Sequence, residues 1–284
     1  MKIILANKYE DAAGMDIDAT VEAEYGEQVI EGKEYTLAHH CGKYRGHPAP
    51  CEFPNQQGFD GVTLISHIDL DTIGGCLELY GLKPEDKAFW KGAGFIDVKG
   101  PHHIHELDEE VQAKLQAYRA YSNSLERIKS DAPRDVTKDI LAARQVIDDI
   151  IAGDENQLRR GEEWRVNAEA AIEANLVYEN EYVRAFVTND VFCSAAYYSK
   201  TQDKVIPAVV SYNKRYNSVT VSFEDGGERF EASTIVKELW GDMAGGHAGI
   251  AGSPRGWDLT MEEAYMEFVR ASRYVEILLT QLDK

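Results

Sequence analysis

An imidazole and two carboxylates stand at alternate positions directly after a short, mostly apolar segment. Residues 61–65 (GVTLI) are rich in β-branched side chains and bounded by turn residues, which predicts a buried parallel strand. His67, Asp69 and Asp71 follow in an H-x-D-x-D pattern. Open α/β sheets bind ligands at the carboxyl ends of their strands, and imidazole with carboxylate is a ligand mixture for manganese, iron or zinc rather than calcium. The pattern therefore predicts a metal site, with a loop of capping and solvated acids as the alternative.

Glycines mark two further places where a backbone would approach a ligand closely. Gly74 and Gly75 follow the first motif, and we expect them to approach an anion and to open the next helix. Residues 244–252 (AGGHAGIAG) surround one histidine with small residues, so that backbone amides could form an anion nest. A tight turn with a core histidine is the alternative. The candidate substrate-binding residues of this loop are Gly245, Gly246 and His247.

The charge of the chain restricts its partners. The 284 residues carry 49 acidic and 30 basic side chains, a net charge of −19. Such a field repels long nucleic acid, because duplex binding relies on Lys and Arg displacing counterions. A small phosphorylated ligand held locally by metals and a few cations is still compatible with it. A hydrophobic content of 44% with 28% charged residues is typical of a soluble globular protein of one or two domains.

Nothing in the sequence predicts a membrane partner. No apolar run approaches the roughly 18 residues needed to span a bilayer, and residues 1–8 have too short an apolar core for a signal peptide. Four cysteines in a chain of this size do not form a disulfide framework, which predicts a reducing, cytoplasmic location.

The pattern of elements predicts an α/β fold in three parts. Short strands alternate with turns at first, helical periodicity follows from about residue 107 to 177, and strands return before a last helix. The expected strands of the first part are 2–6, 35–38, 62–66 and 94–98. Those of the last part are 182–188, 205–213 and 218–223, the last two joined by a hairpin at 214–217. Helices are expected at 232–239 and 261–282.

Two segments resemble the DHH phosphoesterase superfamily, which includes single-strand exonucleases, oligoribonucleases and cyclic-dinucleotide phosphodiesterases. Residues 185–252, with VTVSFEDG, FEASTIVKELWG and GGHAGIAG, resemble its DHH-associated substrate-binding domain, and residues 67–71 resemble its first metal motif. The resemblance implies a divergent member with a parallel-sheet catalytic lobe over 1–150. A helical connector over 151–180 and a smaller mixed α/β substrate-binding lobe over 181–284 would follow.

The order of the motifs departs from the family. Members normally have an isolated Asp, a DHH tripeptide and a later closing Asp after the first motif, and no DHH occurs here. Asp97 resembles the closing Asp. Upstream of the first motif, His39 and His40 end a predicted strand and resemble a DHH element with Ala38 in place of Asp. The resemblance thus implies a lobe rearranged in order, because ligands gather at strand ends whatever the order of the strands. A satisfied turn is the alternative for the two histidines.

The reaction implied is hydrolysis of a small nucleotide, short oligonucleotide or related phosphoester. Two divalent ions roughly 3.5–4 Å apart would stabilise the attacking and leaving oxygens of a displacement at phosphorus and lower the pKa of a bound water molecule. An imidazole would protonate the leaving oxygen. Manganese is the expected metal, with cobalt, magnesium and zinc as alternatives. The expected metal ligands are His67, Asp69, Asp71, Asp97 and His39. The expected catalytic residues are His40, His102 and His103. Arg255 joins the substrate-binding residues, since Phe223 stands where family members often carry an arginine.

Two other functions compete with this one. The missing acid of the DHH element and the altered arginine favour a catalytically inactive nucleotide- or phosphate-binding regulatory protein with the same lobes. A structural zinc is the other, held within the cluster His39, His40, Cys41, His47 and Cys51, although no C-x-x-C pair occurs there. A homodimer is left open.

Overall fold

The computed structural model describes residues 1–25, 28–40, 42–53, 58–125, 132–189, 194–254 and 257–282. The mixed α/β class expected from the sequence is confirmed. The chain divides into two compact units. Unit 1 comprises Met1–Val98 and Ile104–Arg165, and unit 2 comprises Lys99–His103 and Val166–Lys284.

Unit 1 is built on a five-stranded sheet with helices. Its strands are β1 (Lys2–Leu5), β2 (Ala19–Val21), β3 (Glu24–Tyr25), β4 (Gln28–Val29), β5 (Tyr35–Leu37), β6 (Val62–Ile65) and β7 (Arg134–Asp135). Its helices are α1 (Tyr9–Ala12), α2 (Leu70–Leu79), α3 (Lys87–Lys99), α4 (Glu109–Ser124) and α5 (Thr137–Ile151), and α6 (Glu155–Asn175) continues into unit 2. The strand order is β5-β2-β6-β1-β7, and β3 pairs with β4 in a separate hairpin.

The register of the parallel strands brings their carboxyl ends level. Strands β5, β2, β6 and β1 run parallel, and only β7 runs antiparallel to its neighbour among the described strands of this sheet. Val21 lies opposite both Leu37 and Ile65. The residues that follow these three positions therefore leave the sheet at one edge, where polar side chains of separate segments can meet.

The core of unit 1 explains why two sequence predictions were wrong. Residues 94–98 belong to α3 and not to a strand: Phe89, Trp90 and Ala93 are buried at helical spacing in the main core. Gly74 and Gly75 do not open α2, which begins at Leu70, but lie inside it. These two glycines let α2 approach the 3-10 helix Pro50–Glu52, where a Cβ at Gly74 would lie 2.4 Å from the Cβ of Cys51.

Unit 2 contains a mixed six-stranded sheet covered by helices. Its strands are β8 (Leu176–Glu179), β9 (Val183–Thr188), β10 (Tyr198–Ser199), β11 (Lys204–Val205), β12 (Ala208–Asn213), β13 (Ser218–Phe223), β14 (Gly245–Gly246) and β15 (Ile250–Gly252). The six-stranded order is β14-β15-β13-β12-β9-β8. Helices α7 (Ala232–Trp240) and α8 (Met261–Leu282) bury apolar side chains against this sheet. The predicted hairpin between β12 and β13 and the predicted last helix are confirmed.

Within the part of the chain that the structure describes, every helix is too short or too polar to cross a membrane.

The close contact at Gly74 predicts a stability change. We expect Gly74→Ala to lower the free energy of unfolding by about 1–3 kcal/mol, because the added methyl group would overlap Cys51 and Trp90 in a packed core. Urea unfolding followed by circular dichroism measures this change. The control is Gly245→Ala, where a Cβ meets no atom within 4 Å and the change should stay within about 0.5 kcal/mol. Equal stability of the two variants would contradict the packing described.

Candidate metal centre

Glu22 lies at the centre of a cluster of acids and histidines in unit 1. It follows β2 directly, and its side chain is fully buried. Its backbone has a φ of 47°, in the left-handed region that non-glycine residues rarely adopt. The Glu22 amide donates to the carbonyl of Leu37 at 2.8 Å, and its own carbonyl accepts a bond from the Ser66 hydroxyl. Neighbours on both sides thus hold Glu22 in a strained conformation at the edge of the sheet.

The first oxygen of Glu22 faces the paired histidines. The Nε2 atoms of His39 and His40 lie 3.0 Å and 2.9 Å from Glu22 Oε1. His39 Nε2 also lies 3.1 Å from Asp97 Oδ2 and 3.6 Å from Asp71 Oδ2. A single N–H proton cannot point at three carboxylates, whereas a cation among them can contact all of them. Glu22, His39, His40 and Asp97 form one group whose donor atoms lie within 4.8 Å of one another.

The second oxygen of Glu22 faces the H-x-D-x-D motif. His67 Nε2 lies 3.4 Å from Glu22 Oε2 and 3.0 Å from Asp69 Oδ2, and these three residues form a second group of donors. The hydroxyl of Thr72 donates to the same Glu22 oxygen at 2.6 Å. Asp69 is also the N-cap of α2, since its Oδ1 accepts the amide of Thr72 at 2.9 Å. One carboxylate therefore connects two sets of candidate ligands.

The donor set fits a divalent cation. Asp71 Oδ1 accepts the amide of Cys51 at 2.8 Å, while its Oδ2 is buried with no hydrogen-bond partner among the described residues. Ligand atoms about 2.0–2.2 Å from a metal stand about 3 Å from one another, which is close to the spacing around His39 Nε2. Imidazole nitrogens mixed with carboxylate oxygens suit manganese, iron or zinc. The chemistry of these side chains agrees with a metal centre, and so does the buried Oδ2 of Asp71, which could make a further contact.

The ionisation of the cluster shows that protons compensate for its charge in the metal-free protein. Burial raises the pKa of Asp71 to about 8, and the charge of Glu22 adds to this effect. Burial alone would lower the pKa of His39, but its contacts with Asp97 and Glu22 raise it to about 10. In the same way the bond to Asp69 outweighs burial and raises the pKa of His67 to about 9. Burial opposes ionisation of Glu22, yet hydrogen bonds from both histidines keep its pKa far below the usual range.

The structure brings six residues of the sequence hypothesis together in unit 1. These six are His39, His40, His67, Asp69, Asp71 and Asp97. Glu22 was missed, although alternating apolar residues at 17, 19, 21 and 23 would have predicted a strand there. Asp97 stands in the last turns of α3 and not at a strand end, so helix packing positions it.

The candidates His102 and His103 belong to unit 2. His102 is buried with its ring centroid 4.6 Å from that of Tyr197, and His103 Nε2 lies 3.7 Å from Glu224 Oε2. His102, His103 and Glu224 form a third group of donors close enough to share an ion.

In the glycine-rich loop of unit 2, residues 245–248 are exposed. Gly245 and Gly246 form β14, and a Cβ at Gly246 would lie 2.6 Å from the Cα of Ala251. The His247 amide donates to the carbonyl of Ile250 at 2.8 Å. This pairing requires a small residue at 246. Arg255 lies outside the described residues.

The alternative of a structural zinc has less support from the geometry. Cys51 is buried, and its thiol donates to the carbonyl of Trp90 at 3.5 Å. His47 packs against the ring of Tyr44. Cys41 lies outside the described residues. His39 and His40 group with carboxylates rather than with thiols among the residues that the structure describes.

Comparisons with known proteins leave the family open. No protein-family model matches the chain, and no curated protein matches it. Among solved structures, the chain is similar to the "Crystal structure of an uncharacterized protein from Helicobacter pylori G27", with 12% identity and a TM-score of 0.25. That match covers 68% of this chain and 54% of the other, so the chain spans about half the length of that protein.

The pKa values predict how metal affinity depends on pH. Near neutral pH the metal-free protein holds protons on His39, His67 and Asp71, whose pKa values are about 10, 9 and 8. A metal must displace these protons, so the affinity for Mn²⁺ should rise about tenfold per pH unit for each proton released between pH 6 and 8.

Isothermal titration with Mn²⁺ in buffers of different ionisation enthalpy gives both the affinity and the number of protons released. An affinity that does not change between pH 6 and 8, with no proton release, would contradict this assignment of ligands.

Proposed function

We propose that this chain is a metal-dependent phosphohydrolase, a divergent relative of the DHH phosphoesterases. Its substrate would be a small nucleotide, a short oligonucleotide or a related phosphoester. The observation that carries the proposal is the position of Glu22, whose two oxygens face two separate groups of imidazole and carboxylate donors. A carboxylate shared between two donor groups is suited to two neighbouring divalent ions, the arrangement used for displacement at phosphorus.

The types of residue in the cluster support the resemblance to that family, although their order along the chain differs from the family's. An isolated acid, Glu22, precedes the paired histidines His39 and His40, and the H-x-D-x-D motif follows them. The resemblance calls for these same parts in another order, with an isolated Asp and a closing Asp. We assign Glu22 to the role of the isolated acid and Asp97 to that of the closing Asp. Because the parallel strands end level, the same set of ligands can meet at the sheet edge whichever order the segments have along the chain.

The ions would be held by residues that the fold has already oriented. His39, His40, Asp97 and one oxygen of Glu22 would hold the first ion, with Asp71 directed toward the same place. His67, Asp69 and the other oxygen of Glu22 would hold the second. Bound divalent ions supply a Lewis acid for a phosphoryl oxygen and lower the pKa of water. Manganese remains the metal that we propose, with cobalt, magnesium and zinc as alternatives.

His40 takes a different role here from the one its position in the sequence suggested. Its Nε2 lies 2.9 Å from the same Glu22 oxygen that His39 contacts. We therefore assign His40 to metal binding instead of proton donation. About half of its side chain is exposed, so its ring borders the solvent side of the first donor group. His102 and His103 stay candidates for protonating the leaving oxygen.

The substrate class follows from charge and from the glycine-rich loop. A chain of net charge −19 favours a small phosphorylated ligand over a long polyanion. Gly245, Gly246 and His247 present exposed backbone near the end of the unit 2 sheet, as a loop that receives a phosphate or a terminal nucleotide would. Arg255 would add a charged contact with the phosphate.

Glu22→Gln tests the proposal directly. The substitution keeps the shape of the side chain but removes the charge that both donor groups share, so Mn²⁺-dependent hydrolysis should fall by at least about 100-fold. The assay measures release of p-nitrophenol from bis-p-nitrophenyl phosphate and of mononucleotide from a dinucleotide, across a series of divalent metals. The matched control is Glu10→Gln, an exposed acid on α1, which should keep full activity.

Three outcomes separate the candidate functions. Metal-dependent turnover that Glu22→Gln abolishes supports the hydrolase. Tight binding of a nucleotide with no turnover in excess Mn²⁺ would favour the inactive regulatory protein. Turnover that survives Glu22→Gln at the wild-type rate would exclude this cluster as the catalytic centre.

A further inference from the structure

A segment of backbone lies between the metal centre and a buried ion pair. Cys51 is fully buried in the 3-10 helix Pro50–Glu52, and its backbone donates one hydrogen bond and accepts another. Its amide donates to Asp71 Oδ1 at 2.8 Å, and its carbonyl accepts Lys83 Nζ at 2.7 Å. Lys83 Nζ also donates to the carbonyl of Phe53 at 3.2 Å. The ammonium group therefore contacts two carbonyls of the segment whose Cys51 amide binds Asp71.

Lys83 is itself fixed in place. Its ammonium group forms an ion pair with Glu78, whose carboxylate is almost fully buried in α2, and it lies 5.6 Å from the ring centroid of Trp90. Asp71 and Glu78 both belong to α2. Lys83 thus ties the segment around Cys51 back to the same helix that carries the candidate ligand.

The packing leaves this segment little freedom to move. A Cβ at Gly75 would lie 2.7 Å from the Cβ of Pro50, and the equivalent contact between Gly74 and Cys51 is closer still. Trp90 Nε1 donates to the carbonyl of Pro84 at 2.8 Å, which fixes the loop that carries Lys83. The Cys51 amide is consequently presented to Asp71 from a rigid support.

We propose that Lys83 is a positioning residue of the metal centre, acting on Asp71 through the backbone of Cys51. The inference rests on the proposed metal centre in unit 1. With Oδ1 held by the Cys51 amide, the carboxylate plane of Asp71 is fixed, and Oδ2 is directed to within 3.6 Å of His39 Nε2. Hydrogen bonds of this kind orient ligating carboxylates and contribute substantially to metal affinity. Loss of the ammonium group would remove the hydrogen bonds to the carbonyls of Cys51 and Phe53, so that the Cys51 amide would hold Oδ1 of Asp71 less firmly.

The test compares Mn²⁺ affinity in variants that keep the fold. Lys83→Met alone would leave Glu78 buried without a counter-charge, so the test uses the double variant Lys83→Met/Glu78→Met, in which both charges are replaced by apolar side chains. We expect Mn²⁺ binding about 10–100-fold weaker than in the wild type, with an unchanged circular dichroism spectrum. Lys91→Met is the matched control, because Lys91 is exposed and lines, together with Lys83 and Trp90, one surface cavity.

Isothermal titration with Mn²⁺ distinguishes the outcomes. A folded double variant that binds Mn²⁺ as tightly as the wild type overturns the role of Lys83 while leaving the metal centre intact. If the double variant does not fold, Lys83→Gln/Glu78→Gln replaces it: both groups stay polar without a charge, and the shorter amide cannot donate to the carbonyls of both Cys51 and Phe53. Its affinity must then lie between those of the wild type and Asp71→Asn, and a wild-type value overturns the proposal. A wild-type protein that binds no Mn²⁺ defeats the proposed function itself.

Discussion

The burial of one carboxylate at the end of three parallel strands governs the structure of unit 1. A charged group removed from water is costly unless it is paired and hydrogen-bonded, and Glu22 is fully buried. Imidazoles of residues that follow β5 and β6, and the hydroxyl of Thr72, surround it. Its backbone conformation is unfavourable for a residue with a side chain, and such strain persists where surrounding contacts over-determine it. The register of the strands holds their ends level, so that the residues that follow them share this charge.

Much of the fold follows from local pattern. Strands β6 and β13 are β-branched and bounded by turn residues, and α8 has a long apolar stripe, so their limits in the sequence and in the structure nearly coincide. The prediction of a strand at residues 94–98 was wrong because Gly92 and Gly94 look like turn residues. In α3 they instead allow close packing, against Val111 and against Glu52. In a sequence, a glycine that allows close packing looks the same as one that allows a turn. Only the segment that packs against it distinguishes the two.

The candidate site was predictable only in part, for a related reason. His39, His40 and the H-x-D-x-D motif stand out because unusual residue types follow recognisable strands. Glu22 follows a strand of three residues among several acids, and sequence alone does not show which acid of such a run is buried. The contribution of Cys51 was equally hidden, since its backbone amide and not its thiol reaches Asp71. Backbone donors carry no signature in residue type.

The geometry of Glu22 has a thermodynamic consequence. Its two oxygens belong to one rigid planar group, and they face different sets of imidazoles. Any rotation that improves one set of contacts alters the other, so in the proposed two-ion centre an ion at either position would change the free energy of binding at its neighbour. Such coupling is reciprocal by necessity. The protein would consequently take up its second ion with an affinity that depends on the first, and loading would be cooperative or anticooperative instead of independent.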